Sequence, residues 1–411
     1  MLTNTAHTRW STRFQAALAV LLTVTIVRYP QVAFHASLEG LEIWFDIVLP
    51  ALLPFFAMSE ILMGLGVVHF MGVLLEPLMR PLFRLPGTGA FAVAMGLASG
   101  YPIGAKITGQ LRRENLCTGP EGERLIALAN TADPLFMVGA VAVGMFGMEE
   151  IGWTIAAAHY LSVLLVGLLL RFYPDPSYKK PPKKSPKRGV SMLARAFDEM
   201  ELARLQDGRP FGQLFGDAIK NSFTSMLFVG GCIMVFSVLG RIADVAGVTN
   251  FLQEILESFV SIFGVDTNII PAVLRGFTEI TIGCEAASQA ASSLFWRTAT
   301  ASLIIGWSGL SVHAQVATMI HGTDIRLRPY LVARLAHGIL AAAFTAILWR
   351  PISKAFAVQK LPFLAGSYHT AFLPRLTLAA GWSILAVAVL LGLGLGLSLL
   401  GKIKIISIRI P

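Results

Sequence analysis

Long apolar runs separated by short polar interruptions extend along most of the chain. The runs lie near residues 17–27, 47–76, 88–99, 134–170, 222–240, 267–274, 300–320, 331–349 and 377–400. A helix needs about 20 such residues to cross a bilayer, and lipid requires every backbone polar group to be satisfied within the element. The pattern therefore predicts an all-α polytopic membrane protein with roughly ten helices or half-helices. The period-two alternation of a membrane barrel is absent.

The polar interruptions occur in two pairs, one pair in each half of the chain. They are the segments 99–106, 130–134, 275–281 and 307–311. Gly100 and Asp133 are 33 positions apart, and so are Gly276 and Gly309. Interruptions at corresponding places in two halves are typical of transporters, whose broken helices hold the substrate at mid-membrane. The spacing predicts a duplicated unit with breaks at these positions, and inverted orientation is the usual reason for such duplication.

The predicted organisation has five segments. They are an N-terminal membrane helix (1–39), a first repeat (40–171), a basic loop (172–210), a second repeat (211–350) and a C-terminal membrane helix region (351–411). The loop is rich in lysine and proline over 179–188, as a solvated linker is, and residues 191–206 have helical spacing. Its excess of basic residues predicts a cytoplasmic position. The basic run would either touch anionic lipid or serve as a plain linker.

Composition supports a membrane location and narrows the chemistry. Of the 411 residues, 55% are hydrophobic and 14% are charged, with a mean hydropathy of +0.67, whereas soluble domains carry about 25% charged residues. The net charge of +9 is concentrated in loops, which indicates membrane topology rather than nucleic-acid binding. Cys117, Cys232 and Cys284 lack the spacing of a metal site or a disulfide framework. We predict no metal, no cofactor and no enzymatic activity.

The segment 130–134 in the first half has the composition of a helix start. Asn130, Thr131 and Asp133 are good N-caps, and proline at 134 suits the first helical position. A helix that begins at membrane depth presents free N–H groups and a partial positive charge, which attract an anion. We therefore predict that these three residues bind substrate. The alternative is a surface cap between two ordinary spans.

The segment 99–106 combines helix breakers with a cation. Gly100, Gly104 and the proline at 102 end the preceding helix and allow a ligand to approach the backbone, next to Tyr101. Lys106 adds a full charge one turn further on, and a lysine near mid-membrane is a functional hypothesis by default. We predict that Gly100, Tyr101, Gly104 and Lys106 bind substrate. Alternatively, Lys106 snorkels to an interface.

The second half offers hydroxyl, imidazole and carboxyl groups at its breaks. The predicted substrate-binding residues are Thr278, Ser308, Ser311 and His313. Glu279, beside the break, is predicted to bind a coupling proton or cation, and the alternative is a structural pair with Arg275 four positions earlier. Arg334 and His337 lie three positions apart on the apolar stretch 329–345. We interpret this last pair as an interfacial anchor.

Several segments resemble one family closely. The matching segments are 53–56, 75–84, 99–106, 130–136, 143–147, 308–315 and 322–325. In these segments the chain resembles the YlbJ-type sporulation integral membrane proteins, a branch of the nucleoside-recognition gate-domain families. The resemblance implies two gate-like repeats with helical hairpins, similar to concentrative nucleoside transporters, and a role in endospore formation. It also implies movement of dipicolinic acid, a planar dianion, across the outer forespore membrane.

Residues and resemblance together predict a secondary transporter or facilitator of a small organic anion, with dipicolinate as the leading substrate. One alternative is a non-transporting membrane scaffold for spore-envelope assembly, which the basic loop favours. Another is a nucleoside-type transporter, although no set of residues that would read a ribose or a base is evident. The predicted partners are the anionic substrate and membrane lipid, with no nucleic acid, and a homo-oligomer is compatible with the sequence. The predicted location is the cell membrane, and specifically the outer forespore membrane for a sporulation protein.

Overall fold

The computed structural model describes residues 3–174 and 191–358. The helices of the first half are α1 (Thr3–Arg28), α2 (Pro30–Gly64), α3 (Val67–Phe83), α4 (Gly89–Ser99), α5 (Ile103–Arg113), α6 (Gly119–Ala129), α7 (Phe136–Met145) and α8 (Glu149–Leu170). Those of the second half are α9 (Met192–Asp207), α10 (Phe211–Val245), α11 (Val248–Val260), α12 (Ile270–Thr278), α13 (Ile280–Gln289), α14 (Leu294–Trp307), α15 (Gly309–Met319) and α16 (Leu327–Val358). Two 3-10 turns, Ser261–Phe263 and Thr267–Ile269, precede α12.

The prediction of an all-α polytopic membrane protein is confirmed. Four helices among the described residues are long and apolar enough to cross a membrane, namely α2, α8, α10 and the Leu327–Trp349 part of α16. The described ranges contain no strand. The helices next to the breaks, α4 to α7 and α12 to α15, are short, because the breaks divide the apolar sequence there into pieces of 9 to 14 residues.

The same order of elements occurs in both halves. The shared order starts with a 35-residue helix, α2 or α10, and each of these is followed by a glycine with positive φ, Gly66 (φ 81°) or Gly247 (φ 75°). A shorter helix comes next, then two pairs of short helices separated by breaks, and finally a long apolar helix. Glycine is suited to both turns because it adopts positive φ without steric cost.

The two 35-residue helices, α2 and α10, pack against each other in opposite directions. A Cβ atom at Gly40 would lie 3.1 Å from the Ser237 Cβ atom, and one at Gly64 would lie 2.3 Å from Leu214 Cδ1. The early part of α2 therefore contacts the late part of α10, and the late part of α2 contacts the early part of α10. This antiparallel packing is what a pair of inverted repeats requires of its first helices. Inversion of the complete repeats stays a prediction.

Ion pairs connect the two halves at the outer ends of their short helices. The Arg112 guanidinium at the end of α5 binds Asp324 in a bidentate manner, with Nε to Oδ1 at 2.6 Å and Nη2 to Oδ2 at 3.1 Å. This guanidinium also holds the pKa of Asp324 below its usual value. Arg326 similarly binds Glu123 of α6 through Nε at 2.6 Å from Oε1. Helices α5 and α6 are thus attached to the segment that leads into α16.

The helix predicted over 191–206 is confirmed as α9. Ser191 caps it by accepting a hydrogen bond from the Ala194 N–H at 3.1 Å, and Arg195 pairs with Glu76 of α3. The predicted segment boundary between residues 39 and 40 falls inside α2, and the boundary at 350 falls inside α16. The lysine-rich run 179–188 and most of the predicted C-terminal region, 359–411, lie outside the described residues.

Candidate functional site

The four predicted interruptions correspond to four breaks between short helices. In the first half, α4 ends at Ser99 and α5 begins at Ile103, and a second break separates α6 from α7. In the second half, Glu279 separates α12 from α13, and Ser308 separates α14 from α15. The prediction of a break centred on Gly276 is wrong, because Gly276 lies buried inside α12. Its small size serves packing, since a Cβ atom there would lie 2.5 Å from Ile304 Cγ1.

A carboxylate caps the helix that follows one break in each half. Asp133 Oδ1 accepts hydrogen bonds from the N–H groups of Leu135 and Phe136, both at 2.9 Å. Glu279 Oε2 accepts one from the N–H of Ile282 at 2.8 Å. We expected the helix start after Asp133 to leave its amides free for an anionic guest. The Asp133 side chain occupies those N–H groups instead.

The two carboxyl groups line one small cavity between the two halves. This inner cavity has a volume of about 60 Å³. Its polar lining comprises Tyr101, Asp133, Cys232, Glu279, Thr281 and Gln315. Asp133 and Glu279 are each 3% exposed, so both are removed from bulk solvent. Ser311 approaches Glu279 with its hydroxyl 3.5 Å from Oε1. Glu279 thus binds α13 and Ser311, and within the described ranges its carboxylate forms no salt bridge with Arg275.

The breaks of each half also pack against one another. A Cβ atom at Gly100 would lie 2.5 Å from Asp133 Oδ2, so the break between α4 and α5 touches the break between α6 and α7. In the second half, a Cβ atom at Gly309 would lie 3.0 Å from the Ile280 nitrogen. Glycine permits both close approaches, since any side chain would push the two breaks apart.

Replacing Gly100 by alanine is expected to destabilise the protein. Gly100 has φ 64° and ψ −156°, a conformation that only glycine adopts readily and that costs other residues about 1 to 3 kcal/mol. The added methyl group would also collide with Asp133. Thermal unfolding of purified protein in detergent measures the effect. Gly216→Ala in α10 is the matched control, because no atom lies within 4 Å of its added Cβ. A Gly100→Ala variant as stable as the control would show that neither the backbone conformation nor the approach to Asp133 requires glycine at this position.

A larger cavity adjoins the inner one on the side of Lys106. This outer cavity has a volume of about 320 Å³, and the two cavities share Phe56, Tyr101 and Val229 as lining residues. The other polar residues of the outer cavity are Ser59, Glu60, Ser99, Lys106, Ser222, Thr224 and Ser225. Lys106 is exposed and contributes its charge to this space rather than to the inner cavity. Gly104 packs against the Ala129 carbonyl oxygen, which would lie 2.1 Å from an added Cβ atom.

Several predicted substrate-binding residues lie behind the cavities in a buried hydrogen-bond network. Asn130 donates from Nδ2 to the Tyr330 hydroxyl at 2.9 Å, and Thr131 bonds to His159 Nε2 at 2.6 Å. His313 donates from Nε2 to the Trp307 carbonyl at 2.8 Å and thereby satisfies an orphan carbonyl at the end of α14. Ser308 is fully buried beside this network. Thr278 lies elsewhere, in a separate small pocket with Arg241 and Arg275.

The network centres on Arg334, which is fully buried. Its Nη1 donates to the Asn130 carbonyl at 3.3 Å and to His337 Nδ1 at 2.9 Å. Its Nη2 donates to the Tyr101 hydroxyl at 3.2 Å and to the Ile305 carbonyl at 3.1 Å. The interpretation of Arg334 and His337 as an interfacial anchor is therefore wrong. An ionisable residue within an apolar span is the sequence signal that could have identified this role.

Helix ends explain how the protein stabilises this buried charge. Asn130 follows the last residue of α6, and Ile305 lies in the last turn of α14. Carbonyl groups at helix C-termini lack intrahelical donors and carry partial negative charge, so they favour a cation. Arg334 thus joins the C-terminal ends of two broken helices, one from each half. Among the described residues, no group of three or more His, Cys, Asp and Glu side chains could hold a metal ion.

Comparison with known proteins agrees with this architecture. The Gate family profile, described as nucleoside recognition, matches residues 45–168. The chain is 43% identical over 343 residues to the sporulation integral membrane protein YlbJ of Bacillus subtilis strain 168, and the match covers 83% of each chain. It is also 28% identical over 160 residues to an uncharacterized protein of Alkalihalophilus pseudofirmus, covering 38% of this chain and 33% of that protein. The chain therefore belongs to the YlbJ family of sporulation integral membrane proteins, and it is a multi-pass membrane protein with a gate domain.

Proposed function

We propose that this protein transports a small organic anion across the membrane. The observation that carries the proposal is the pair of adjoining cavities at which the breaks of both halves meet. Transporters commonly place their substrate sites between broken helices of two repeats. In this mechanism the anion first occupies the outer cavity, and the inner cavity controls its further passage.

The outer cavity has the chemistry that a small aromatic carboxylate needs. Lys106 supplies a positive charge, and the hydroxyl groups of Ser99 and Ser222 supply hydrogen-bond donors. Phe56, Phe228 and Met95 form apolar walls against which a flat ring would pack. The volume of about 320 Å³ lies within the usual range of small-molecule sites, roughly 300 to 1,000 Å³.

The inner cavity makes anion passage dependent on protons. Asp133 and Glu279 are both buried there, and an anion beside two ionised carboxylates in a low-dielectric space would be strongly repelled. Protonation of both groups removes the repulsion. We therefore extend the coupling role predicted for Glu279 to Asp133, and the anion moves together with protons.

Dipicolinate is the proposed substrate, and the outer forespore membrane is the proposed location. The family resemblance implies both, and the name of the Bacillus subtilis relative connects it to sporulation. A planar dianion matches a cavity that combines a cation, hydroxyl groups and apolar walls. A nucleoside is the second candidate, because the matching family profile is described as nucleoside recognition.

Flux of radiolabelled dipicolinate in proteoliposomes tests the proposal, with labelled uridine in parallel. Lys106→Ala is expected to lower dipicolinate flux about tenfold or more, since a hydrogen bond to a charged group contributes about 1.5 to 3 kcal/mol. Lys106→Arg should retain part of the flux because the charge remains.

Lys220→Ala is the matched control, because Lys220 is an exposed lysine of α10 outside the lining of the outer cavity. Unchanged flux in a correctly inserted Lys106→Ala protein would exclude Lys106 from the anion site. Flux of uridine but not dipicolinate would favour the nucleoside function. Flux of neither substrate would favour the scaffold alternative.

A further inference from the structure

Three cavities lie in a row along one face of α10. The third is the small pocket of Thr278, here called the far pocket, with a volume of about 30 Å³. Residues of α10 line the outer cavity, then the inner cavity, then the far pocket, in chain order. They are Ser222, Ser225, Val229, Cys232, Phe236 and Gly240. Steps of three and four residues place them on one face of the helix. The 18 residue steps from Ser222 to Gly240 span about 27 Å, close to the thickness of the hydrocarbon core, about 30 Å.

Helix α2 lines the same three spaces in the reverse order. Glu60 lines the outer cavity, Phe56 lines the outer and inner cavities, and Leu52 and Val48 line the inner cavity. Glu39 lines the far pocket. Because α2 and α10 are antiparallel, this reversed order means that both helices follow the same route. The route passes between the two halves of the protein.

The far pocket is the second-half counterpart of the outer cavity. When the 35-residue helices α2 and α10 are matched from their first residues, Glu60 corresponds to Arg241 and Met63 corresponds to Asp244. Glu60 and Met63 line the outer cavity, whereas Arg241 and Asp244 line the far pocket. Ser99, the last residue of α4, likewise lines the outer cavity, and Thr278, the last residue of α12, lines the far pocket. Equivalent positions thus enclose about 320 Å³ in one half and about 30 Å³ in the other.

Charged groups hold α2 and α10 together at the far pocket. Arg241 Nη2 donates to Glu39 Oε1 at 3.0 Å, and Arg241 Nη1 lies 3.7 Å from Asp244 Oδ2. The Glu39–Arg241 pair joins α2 to α10. At the outer cavity, the α2 position that corresponds to Arg241 is Glu60. Arg275 also lines the far pocket and would offer a second cation to an anion there.

We propose that the substrate crosses the membrane along this face of α10, and that the far pocket is the closed end of the route. The Glu39–Arg241 pair keeps α2 against α10 at that end while the outer cavity is open. Breaking the pair frees Arg241, which with Arg275 then binds the departing anion. The proposal rests on the proposed transport function, because it gives that function its path and its closed gate.

Cys232 provides a direct test, because this natural cysteine lines the inner cavity midway along the route. The parent protein carries Cys117→Ala and Cys284→Ala, so that Cys232 is the single thiol. A small, membrane-impermeant sulfonate methanethiosulfonate is added to either face of sealed vesicles. Cys232 is expected to react faster from the face on which the outer cavity opens. Arg241→Gln is expected to raise the rate from the opposite face about two- to fivefold, the range for a partly exposed ion pair.

Two further variants make the result specific. Ser225→Trp fills the outer cavity and should slow the reaction from the first face. Arg209→Gln removes a different ion pair of α10, with Asp217, and should leave both rates unchanged. Equal rates from both faces of the parent, or no change in Arg241→Gln, would overturn the proposal. The labelling reaction needs no substrate, so it tests the route separately from transport. Faster labelling from one face, without flux of dipicolinate or uridine, would refute the proposed transport function but would still support a route along α10 that is closed at the far pocket.

Discussion

Replacing Arg334 by methionine is expected to cause the largest loss of stability of any single substitution considered. Arg334 supplies donors to the Asn130 carbonyl, the Tyr101 hydroxyl and His337 Nδ1, all in the buried interior. Each buried polar group left without a partner costs about 1 to 3 kcal/mol, and methionine leaves several of them. Methionine has a similar length and no charge, so the effect reports the lost hydrogen bonds rather than a cavity. We expect a clearly lower Tm in detergent and a smaller fraction of monodisperse protein.

Two variants separate the charge of Arg334 from its geometry. Arg334→Lys retains the charge near the ends of α6 and α14, but one ammonium group cannot reach all the acceptors of a guanidinium. Its stability should fall between those of the wild type and Arg334→Met. Arg209→Met removes a half-buried arginine that pairs with Asp207 and Asp217, and ion pairs of this kind contribute about 1 kcal/mol or less each. If Arg334→Met were as stable as Arg209→Met, the network would not hold the two halves together.

The breaks could be predicted from the sequence because local residues cause them. Gly100 and the following proline end α4, and Asp133 caps the next helix, so each effect acts within a few positions. The break at Glu279 is less visible, because neither glycine nor proline marks it. Gly276 drew the prediction three residues too early, since a glycine used for close packing has the same appearance in a sequence as a glycine used for a turn.

The buried arginine network could not be derived from the sequence because its contacts join distant parts of the chain. Arg334 meets Tyr101 across 233 positions and Asn130 across 204. The position of Arg334 within an apolar stretch indicates a special role, but it does not reveal which distant groups the guanidinium meets. The structure distinguishes Arg334 from the nearby Arg326 by burial, since Arg334 is fully buried whereas Arg326 pairs with Glu123 near the surface.

The acidic character of the inner cavity could not be predicted from the local sequence either. The helix start at Asp133 was predicted as an electropositive end that attracts an anion, whereas Glu279 was predicted to bind a coupling proton or cation. Whether an acidic side chain or a ligand fills such an end depends on the rotamer of the cap, which packing decides. Both caps turn inward and accept hydrogen bonds from the N–H groups of these helix starts, so the inner cavity is acidic rather than basic. In the proposed mechanism, therefore, the carboxyl groups of the inner cavity bind protons and the outer cavity binds the anion.

Neutralising the inner carboxyl groups is expected to uncouple transport from protons. Asp133→Asn retains an oxygen that can cap Leu135 and Phe136, and Glu279→Gln retains one for Ile282, so both variants should fold. Neither side chain can release a proton. A proton gradient across proteoliposomes should therefore stimulate dipicolinate flux in the wild type and fail to stimulate it in either variant. Exchange of labelled for unlabelled dipicolinate without a gradient should persist, because the repulsive charge is absent.

The matched control for this loss of coupling is Glu285→Gln. Glu285 lies on α13, the helix that Glu279 caps, and its Oε1 accepts a hydrogen bond from Gln289 at 2.5 Å. It does not line the inner cavity, so its neutralisation should leave the gradient response intact. Full gradient stimulation in Asp133→Asn and Glu279→Gln would remove the inner cavity from proton coupling. Loss of exchange together with gradient stimulation would instead indicate that the two carboxylates bind the substrate or shape its path, because proton coupling alone does not govern exchange.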